Sequence, residues 1–416
     1  MIVPMPTLPK MYRLQQTFDR SSLEDPAAVL AERLRTSPAM DGLKPGMRVA
    51  ITAGSRGIYK IGELVAAVVK EVRRRGGDPF VVPAMGSHGG ATAEGQADML
   101  RGLGVSEESV GCPIRSSMET VEVGKTPQGW SAYCDRNAFE SDYVVVMNRI
   151  KAHTAFKSDI ESGLHKMMTV GLGKHKGAAN VHVIGLKNGV VPIGKVILEK
   201  APIGVGIGII ENSEDKTYDF KIVTPSQFEE ADREGLALAN KLLPRIPFDQ
   251  LDILIVREIG KNISGTGMDS NIIGIGRRIG GSYKPEITRL GVLDLTEKTH
   301  GNALGIGLAD LTTRRLVDKI DYRATYTNVI TTGFLGTARI PMILETDQEM
   351  VAVALNGYEA SKVRMAIIQN TLELEHLLIS EALVEEARQQ PGLTVGEEVG
   401  PFQFDAEGNL LVSLHW

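Results

Sequence analysis

The stretch SGLHKMMTVGLGKHKGAANVH, residues 162–182, gathers three of the chain's eight histidines and no acidic residue. Imidazoles and primary amines concentrated in this way form either a solvated basic loop or a site that holds an anion, a metal or both. Lys166 is flanked by Leu164, Met167 and Met168. A lysine in apolar surroundings loses its proton readily and becomes a nucleophile, although a snorkelling lysine at a helix edge has the same neighbours. Lys174 and Lys176, in GKHKG, look exposed by contrast. His182 opens an apolar run and reads as a buried ligand or a satisfied core histidine. Upstream, His153 follows Lys151 in IKAHTAF and is open to acid/base, metal-ligand or plain loop roles. His88 sits in GSHGGAT, where glycines expose an imidazole suited to proton transfer or to bracing a turn. In TAGSRGI, Ser55 and Arg56 could cradle an anion at a helix N-terminus. That motif alone favours an ordinary strand-to-helix turn. GVVPIGKV, residues 189–196, has phosphate-loop spacing but puts Val196 where a magnesium-binding hydroxyl belongs, so nucleotide triphosphate binding is rejected.

Something must hold these residues, and the flanking sequence says what. MRVAITAGS, DPFVVPAMG and DYVVVMNRI read as buried strands, with helical periods in KIGELVAAVVKEVRRRG and TAEGQADMLRGLG, the second with a Thr N-cap. IGVGIGII and DFKIVTP read as further strands, and SQFEEADREGLALANKLL as an amphipathic helix. This alternation predicts an α/β chain of two domains with mostly parallel sheets. The first is expected over 1–245 and the second over 246–416, the final strand free to return to the first, with the active site in the cleft between them. In the second half DILIV and RLGVLDLT read as strands, and GLADLTTRRLVDKI and TLELEHLLISEALVEEARQQ as helices. Each polar cluster lies directly after a strand, where open α/β sheets bind ligands.

The chain has 416 residues, 43% of them hydrophobic and 23% charged, which suits a globular protein of two or three domains. A formal charge of −5 and 5% aromatic residues argue against a nucleic-acid partner. Cys112 and Cys134 form no CxxC and read as reduced thiols. No apolar run reaches a membrane span, and the proline-bearing N-terminus lacks a signal-peptide core, so a cytoplasmic location is expected.

These residues together resemble the nickel-pincer lactate racemase family of hydroxy-acid racemases and epimerases. GSHGGAT is similar to its G-x-H-R-P-x-T segment, keeping the glycine, histidine and threonine and losing Arg-Pro. His153 matches a second histidine past a later strand. Ser162-Gly163-Leu164-His165-Lys166 matches its S-G-x-x-K segment, and His182 stands sixteen residues beyond that lysine, at the offset of the nickel-ligating histidine. Arg56 matches the arginine of a D-x-x-R segment, with Ala53 in place of the acid.

The resemblance implies a pyridinium-thioamide-thiocarboxylate mononucleotide joined to Lys166, with nickel held by its sulfurs, its ring carbon and His182. It implies His88 and His153 as the two acid/bases of an inversion by hydride transfer. Arg56 and Lys261 become candidates for the substrate carboxylate or the cofactor anion, and Ser55 for cofactor binding. The interval between His153 and Lys166 is longer than in the lactate enzymes, and GKNISGTGMDSN replaces their substrate loop. Another hydroxy acid or a polyhydroxy acid is therefore the expected substrate, with cofactor-synthesis and nickel-insertion enzymes as partners and an oligomer left open. Two alternatives stand beside this reading: a cofactor carrier of the same fold without turnover, and a metal-independent sugar-acid epimerase.

Overall fold

The computed structural model describes residues 2–55 and 57–416. The chain forms two compact units, Asp19–Leu243 and the combination of Met1–Phe18 with Pro244–Trp416. Strand β1 (Met11–Gln16) belongs to the second of these. The unit Asp19–Leu243 holds β2 (Arg48–Ala53), β3 (Asp78–Pro83), β4 (Thr120–Lys125), β5 (Ser131–Asp135), β6 (Tyr143–Arg149), β7 (Ile203–Glu211) and β8 (Thr217–Val223). Five of them form one sheet in the order β3-β2-β6-β7-β8, parallel except for β8. Their near-continuous apolar sequences follow from burial on both faces, the usual condition of parallel strands.

Alternation along each strand divides the core in two. Val49, Ile51, Val145 and Met147 meet Leu64, Val65, Val68 and Val72 of the helix Ile61–Arg74 on one face. Ala50, Val82, Val144 and Val146 meet Leu164, Met168, Ile193 and Phe228 on the other. The helix Ala93–Gly102 starts where expected, with Thr92 accepting the Gly95 N–H at 3.0 Å. β4 and β5 pair as a separate hairpin whose half-buried, alternating residues give only a weak strand pattern.

The other unit continues with β9 (Gln250–Ile259), β10 (Glu286–Leu295), β11 (Leu311–Thr313), β12 (Met342–Leu344), β13 (Met365–Ile368), β14 (His376–Ser380) and β15 (Leu393–Gly400). Its eight-stranded sheet runs β12-β11-β10-β9-β13-β14-β1-β15. The first five strands of that order are parallel and the rest pair antiparallel.

Three expectations are corrected here. A single N-terminal domain over 1–245 does not describe the chain, because β1 hydrogen-bonds between β14 and β15; those last strands stay with it rather than returning to the first half. GLADLTTRRLVDKI is not one helix. Leu311–Thr313 is a buried strand whose threonine hydroxyls donate to Val292 O (3.0 Å) and Leu293 O (2.6 Å), and the helix begins at Arg314. TLELEHLLISEALVEEARQQ likewise splits into β14 and the helix Glu381–Arg388. A short apolar run buried on both faces satisfies either period, and pairing with β13 and β1 decides for strand. No helix among the described residues is long and apolar enough to cross a membrane.

Candidate functional site

In the order β3-β2-β6 the chain steps from β2 to one side and later returns to the other. The crevice beyond the C-terminal ends of β2 and β6 is therefore a topological switch point, where such sheets bind ligands. Ser55 follows β2 and His88 follows β3. Ser55 Oγ lies 2.5 Å from His88 Nδ1, and the imidazole is exposed. When Nδ1 carries the proton and donates to Ser55 Oγ, Nε2 is the basic nitrogen. The backbone bearing His88 is held from beneath by the buried Gln96, whose amide donates to Gly86 O (2.9 Å) and His88 O (3.2 Å). Gly89, at φ 65°, packs against the backbone of Gly95 and Gln96 with no room for a Cβ. Arg56 lies outside the described residues.

The end of β6 is tied to the lysine-bearing segment. Asn148 Nδ2 donates to Gly163 O at 2.7 Å, and Lys151 and Ser162 exchange backbone hydrogen bonds of 3.0 and 3.2 Å. The loop between them carries His153. Its backbone N–H donates to Glu161 Oε2 at 2.5 Å, and its ring leans on Phe156 with centroids 4.7 Å apart. Burial pushes the Glu161 carboxyl up, against the hydrogen bonds from His153 and Ser158 and the Lys157 ammonium. His153 Nδ1 accepts the Ala155 N–H at 3.0 Å, so the neutral ring carries its proton on Nε2.

Residues 162–182 are mostly helical rather than a loop. Asp232 fixes the start: its Oδ1 accepts Leu164 N–H (2.7 Å), and its Oδ2 accepts His165 N–H (2.9 Å) and lies 2.8 Å from His165 Nδ1. A Cβ at Gly163 would overlap that carboxylate, which explains the glycine. After Leu164–Lys166 the backbone widens into a π-helix over Met167–Leu172, a distortion that recurs at functional sites. Met167, Met168 and Leu172 are buried, while Gly171 O accepts the Gly86 N–H at 3.3 Å and so joins this helix to the His88 loop. Lys166 is half-buried. His182 lies near the end of the helix Lys174–Ile184, with a solvent-accessible side chain. Crowding by protein atoms, and then the Lys166 ammonium, hold its pKa below the ordinary imidazole value. The ring is therefore accessible and neutral at pH 7, the form that binds a metal.

Lys174 overturns its expected exposure. It is 0% exposed, with Nζ 3.2 Å from Asp135 Oδ2 and 3.2 Å from Gln96 Oε1, and it donates to Pro83 O as well. Asp135 is 0% exposed too; burial raises its carboxyl and lowers the lysine despite their mutual attraction. Lys176 is exposed. Gln96, Asp135, Glu161 and Asp232 position the site, and nothing in their local sequence marks them. Both cysteines are free and buried, with burial raising the Cys112 thiol to about 11.

The structure thus brings Ser55 against His88, ties the loops of His88 and His153 to the Lys166 segment, and sets Lys166 near His182. Lys261 belongs to the other unit, where its Nζ donates to Gly265 O at 2.8 Å and its N–H to Thr299 Oγ1 at 3.0 Å. Among the described residues no group of three or more His, Cys, Asp or Glu side chains could hold a metal.

Residues 11–189 match the family described as the lactate racemase N-terminal domain. No curated protein matches the chain. Among solved structures, the lactate racemase apoprotein from Thermoanaerobacterium thermosaccharolyticum superimposes with a TM-score of 0.53 at 11% identity, over 85% of this chain and 93% of that one. A structural-genomics target from Thermotoga maritima gives 0.51 at 12% identity, over 84% of this chain and 97% of that one. At such identities the likeness is one of fold.

Proposed function

We propose that this lactate racemase-like chain is a racemase or epimerase that inverts a hydroxyl-bearing carbon of a 2-hydroxy acid or a related polyhydroxy acid. One observation carries the reading. The loops bearing Ser55, His88 and His153 follow adjacent parallel strands; those of His88 and His153 are hydrogen-bonded to the one segment that presents Lys166, and Ser55 reaches it through His88. The residues present also fit the group that the family resemblance implies. Lys166 offers an amine beside buried Met167 and Met168, and His182 offers a neutral imidazole. A metal held by one imidazole and by the donors of a tethered group needs no cluster of three protein ligands. Such a nickel-bearing pyridinium nucleotide, joined to Lys166, would supply a carbon able to accept and return a hydride.

The chain's own residues handle the proton. His88 Nε2 takes the substrate hydroxyl proton while Ser55 holds Nδ1. The neutral His153 donates a hydrogen bond, not its proton, to the substrate through Nε2–H from a second loop. For His153 to act as the base instead, Nδ1 must be protonated and the Ala155 hydrogen bond given up, at a cost of about 1 kcal/mol. The two half-reactions therefore differ in their resting proton arrangement.

The test is inversion in heavy water. Protein co-expressed with cofactor-synthesis enzymes is incubated with single enantiomers of 2-hydroxy and polyhydroxy acids, and products are resolved chirally and weighed. Hydride transfer keeps the substrate's own carbon-bound hydrogen, so inversion without deuterium at that carbon is expected. Deuterium wash-in would mark proton abstraction and a metal-independent epimerase. Cofactor uptake with no inversion of any substrate would mark a carrier.

A further inference from the structure

The unit built on β9 to β15 has a switch point of its own. From β9 the chain steps to β10, β11 and β12 on one side, then places β13 on the other side of β9. Beyond the C-terminal ends of β9, β10 and β13 lies a cavity of about 350 Å³, within the range of small-molecule sites. Most of its lining is polar.

The charges in the wall fall into two classes. Arg315 binds Asp347 through Nη2 (3.0 and 3.2 Å), and its Nε lies 3.2 Å from Asp294, which also accepts from Lys319 Nζ at 2.7 Å. These charges are satisfied by one another. Arg257 and Glu258 are not. Among the described residues neither joins an ion pair. Arg257 Nη1 donates only to the neutral Gln369 Oε1 at 3.2 Å, and Glu258 Oε1 accepts only the Asn370 amide at 3.2 Å. Consecutive residues at the end of β9 thus present one cation and one anion, both half-buried. Each is steadied by one of two consecutive amides at the end of β13. Asn370 is itself locked, its Oδ1 accepting the Leu372 and Glu373 N–H groups at 2.9 Å each.

Half-buried charges are costly to leave uncompensated, and a ligand of opposite polarity at both ends removes the cost. A guanidinium suits a carboxylate, and a carboxylate suits an ammonium. Leu293 and Leu410 supply the apolar wall. We propose that this cavity binds an α-amino acid with a small aliphatic side chain, its carboxylate on Arg257 and its ammonium on Glu258. The cavity's residues belong to the other unit from Lys166, and the proposal does not depend on the racemase reading.

Isothermal titration of the full chain tests it, with glycine and L-alanine as probes and with L-lactate and ethylamine as analogues lacking one charge. Saturable binding of L-alanine is expected, with each analogue at least about 10-fold weaker, since a charge-assisted bond is lost. R257Q and E258Q should each weaken L-alanine by a similar factor, with melting curves confirming that both variants fold. The wild-type analogue series stands even if a variant does not fold. Three results overturn the proposal: no saturable heat from any of the twenty amino acids on the order of 10 mM, L-lactate binding as tightly as L-alanine, or unchanged affinity in E258Q. The second would identify a hydroxy-acid or simple anion site instead.

Discussion

Replacing Lys174 by Met removes one partner of a fully buried ion pair while keeping most of the side-chain volume. It leaves the Asp135 carboxylate with only backbone donors, the Ala138 N–H at 2.9 Å and the Asn137 N–H. Breaking such a pair costs about 3–5 kcal/mol, because the surviving charge stays out of water. For a unit of this size that corresponds to roughly 6–20 °C in the melting midpoint. The loss must depend on pH. Asp135 already titrates above its ordinary value through burial, and removing the lysine can only raise it further. A carboxyl raised in the folded state binds protons more tightly there than when unfolded. K174M should therefore be least impaired below about pH 4 and should lose stability as pH rises from there to the folded pKa, by up to 1.4 kcal/mol per unit. D135N keeps the oxygen that caps Ala138 and removes the charge. The double variant K174M/D135N should recover much of the stability at pH 7 and lose the slope. Trp130 packs on this core, so urea unfolding followed by its fluorescence in a Trp416→Phe background reads the right unit. A K174M variant as stable as wild type at pH 7, with a flat pH profile, would refute the buried-pair argument.

Peptide mass mapping of protein made with the cofactor enzymes should find an adduct on Lys166, lost in K166A and kept in K176A; an adduct on Lys176 would contradict the assignment. H88A should slow inversion about 10²–10⁴-fold in both directions, since both enantiomers share one path. S55A should slow it less and shift the pH profile, because the imidazole loses the partner of Nδ1; an unchanged H88A rate would end this reading. His182 should titrate below its ordinary value in an NMR pH series. K166M should move that midpoint upward without restoring it fully, since crowding remains; no movement would mean the two groups do not interact.

The strands of the Asp19–Leu243 unit are legible in the sequence because burial on both faces leaves unbroken apolar runs, as in β6. The same property misleads at β14, whose apolar run merges with the following helix. β1 is invisible locally, since MYRLQQ is half polar and its partners lie at the other end of the chain. At the site, the histidines and Lys166 declare themselves by type and by glycine-rich surroundings. Lys174 does not: GKHKG looks like a solvated turn, and only the tertiary approach of Asp135 and Gln96 makes a fully buried lysine tolerable. The tautomer of His153 is equally unreadable, because it follows from how the folded loop aims the Ala155 N–H at Nδ1.

The pairing of β1 with β14 and β15 has a consequence during synthesis. Asp19–Leu243 can complete its sheet as soon as β8 and the helix Phe228–Leu242 emerge. β1 leaves the ribosome first, yet about 360 residues separate its end from the first residue of β14, on the order of 20–70 s of translation. Throughout that time a strand destined to lie between two others has both edges unpaired. MYRLQQ has only two buried apolar residues, Met11 and Leu14, among polar or half-buried ones, and it carries Arg13. That composition suits a segment that must wait in water, because a continuous apolar run held open so long would invite pairing with neighbouring chains.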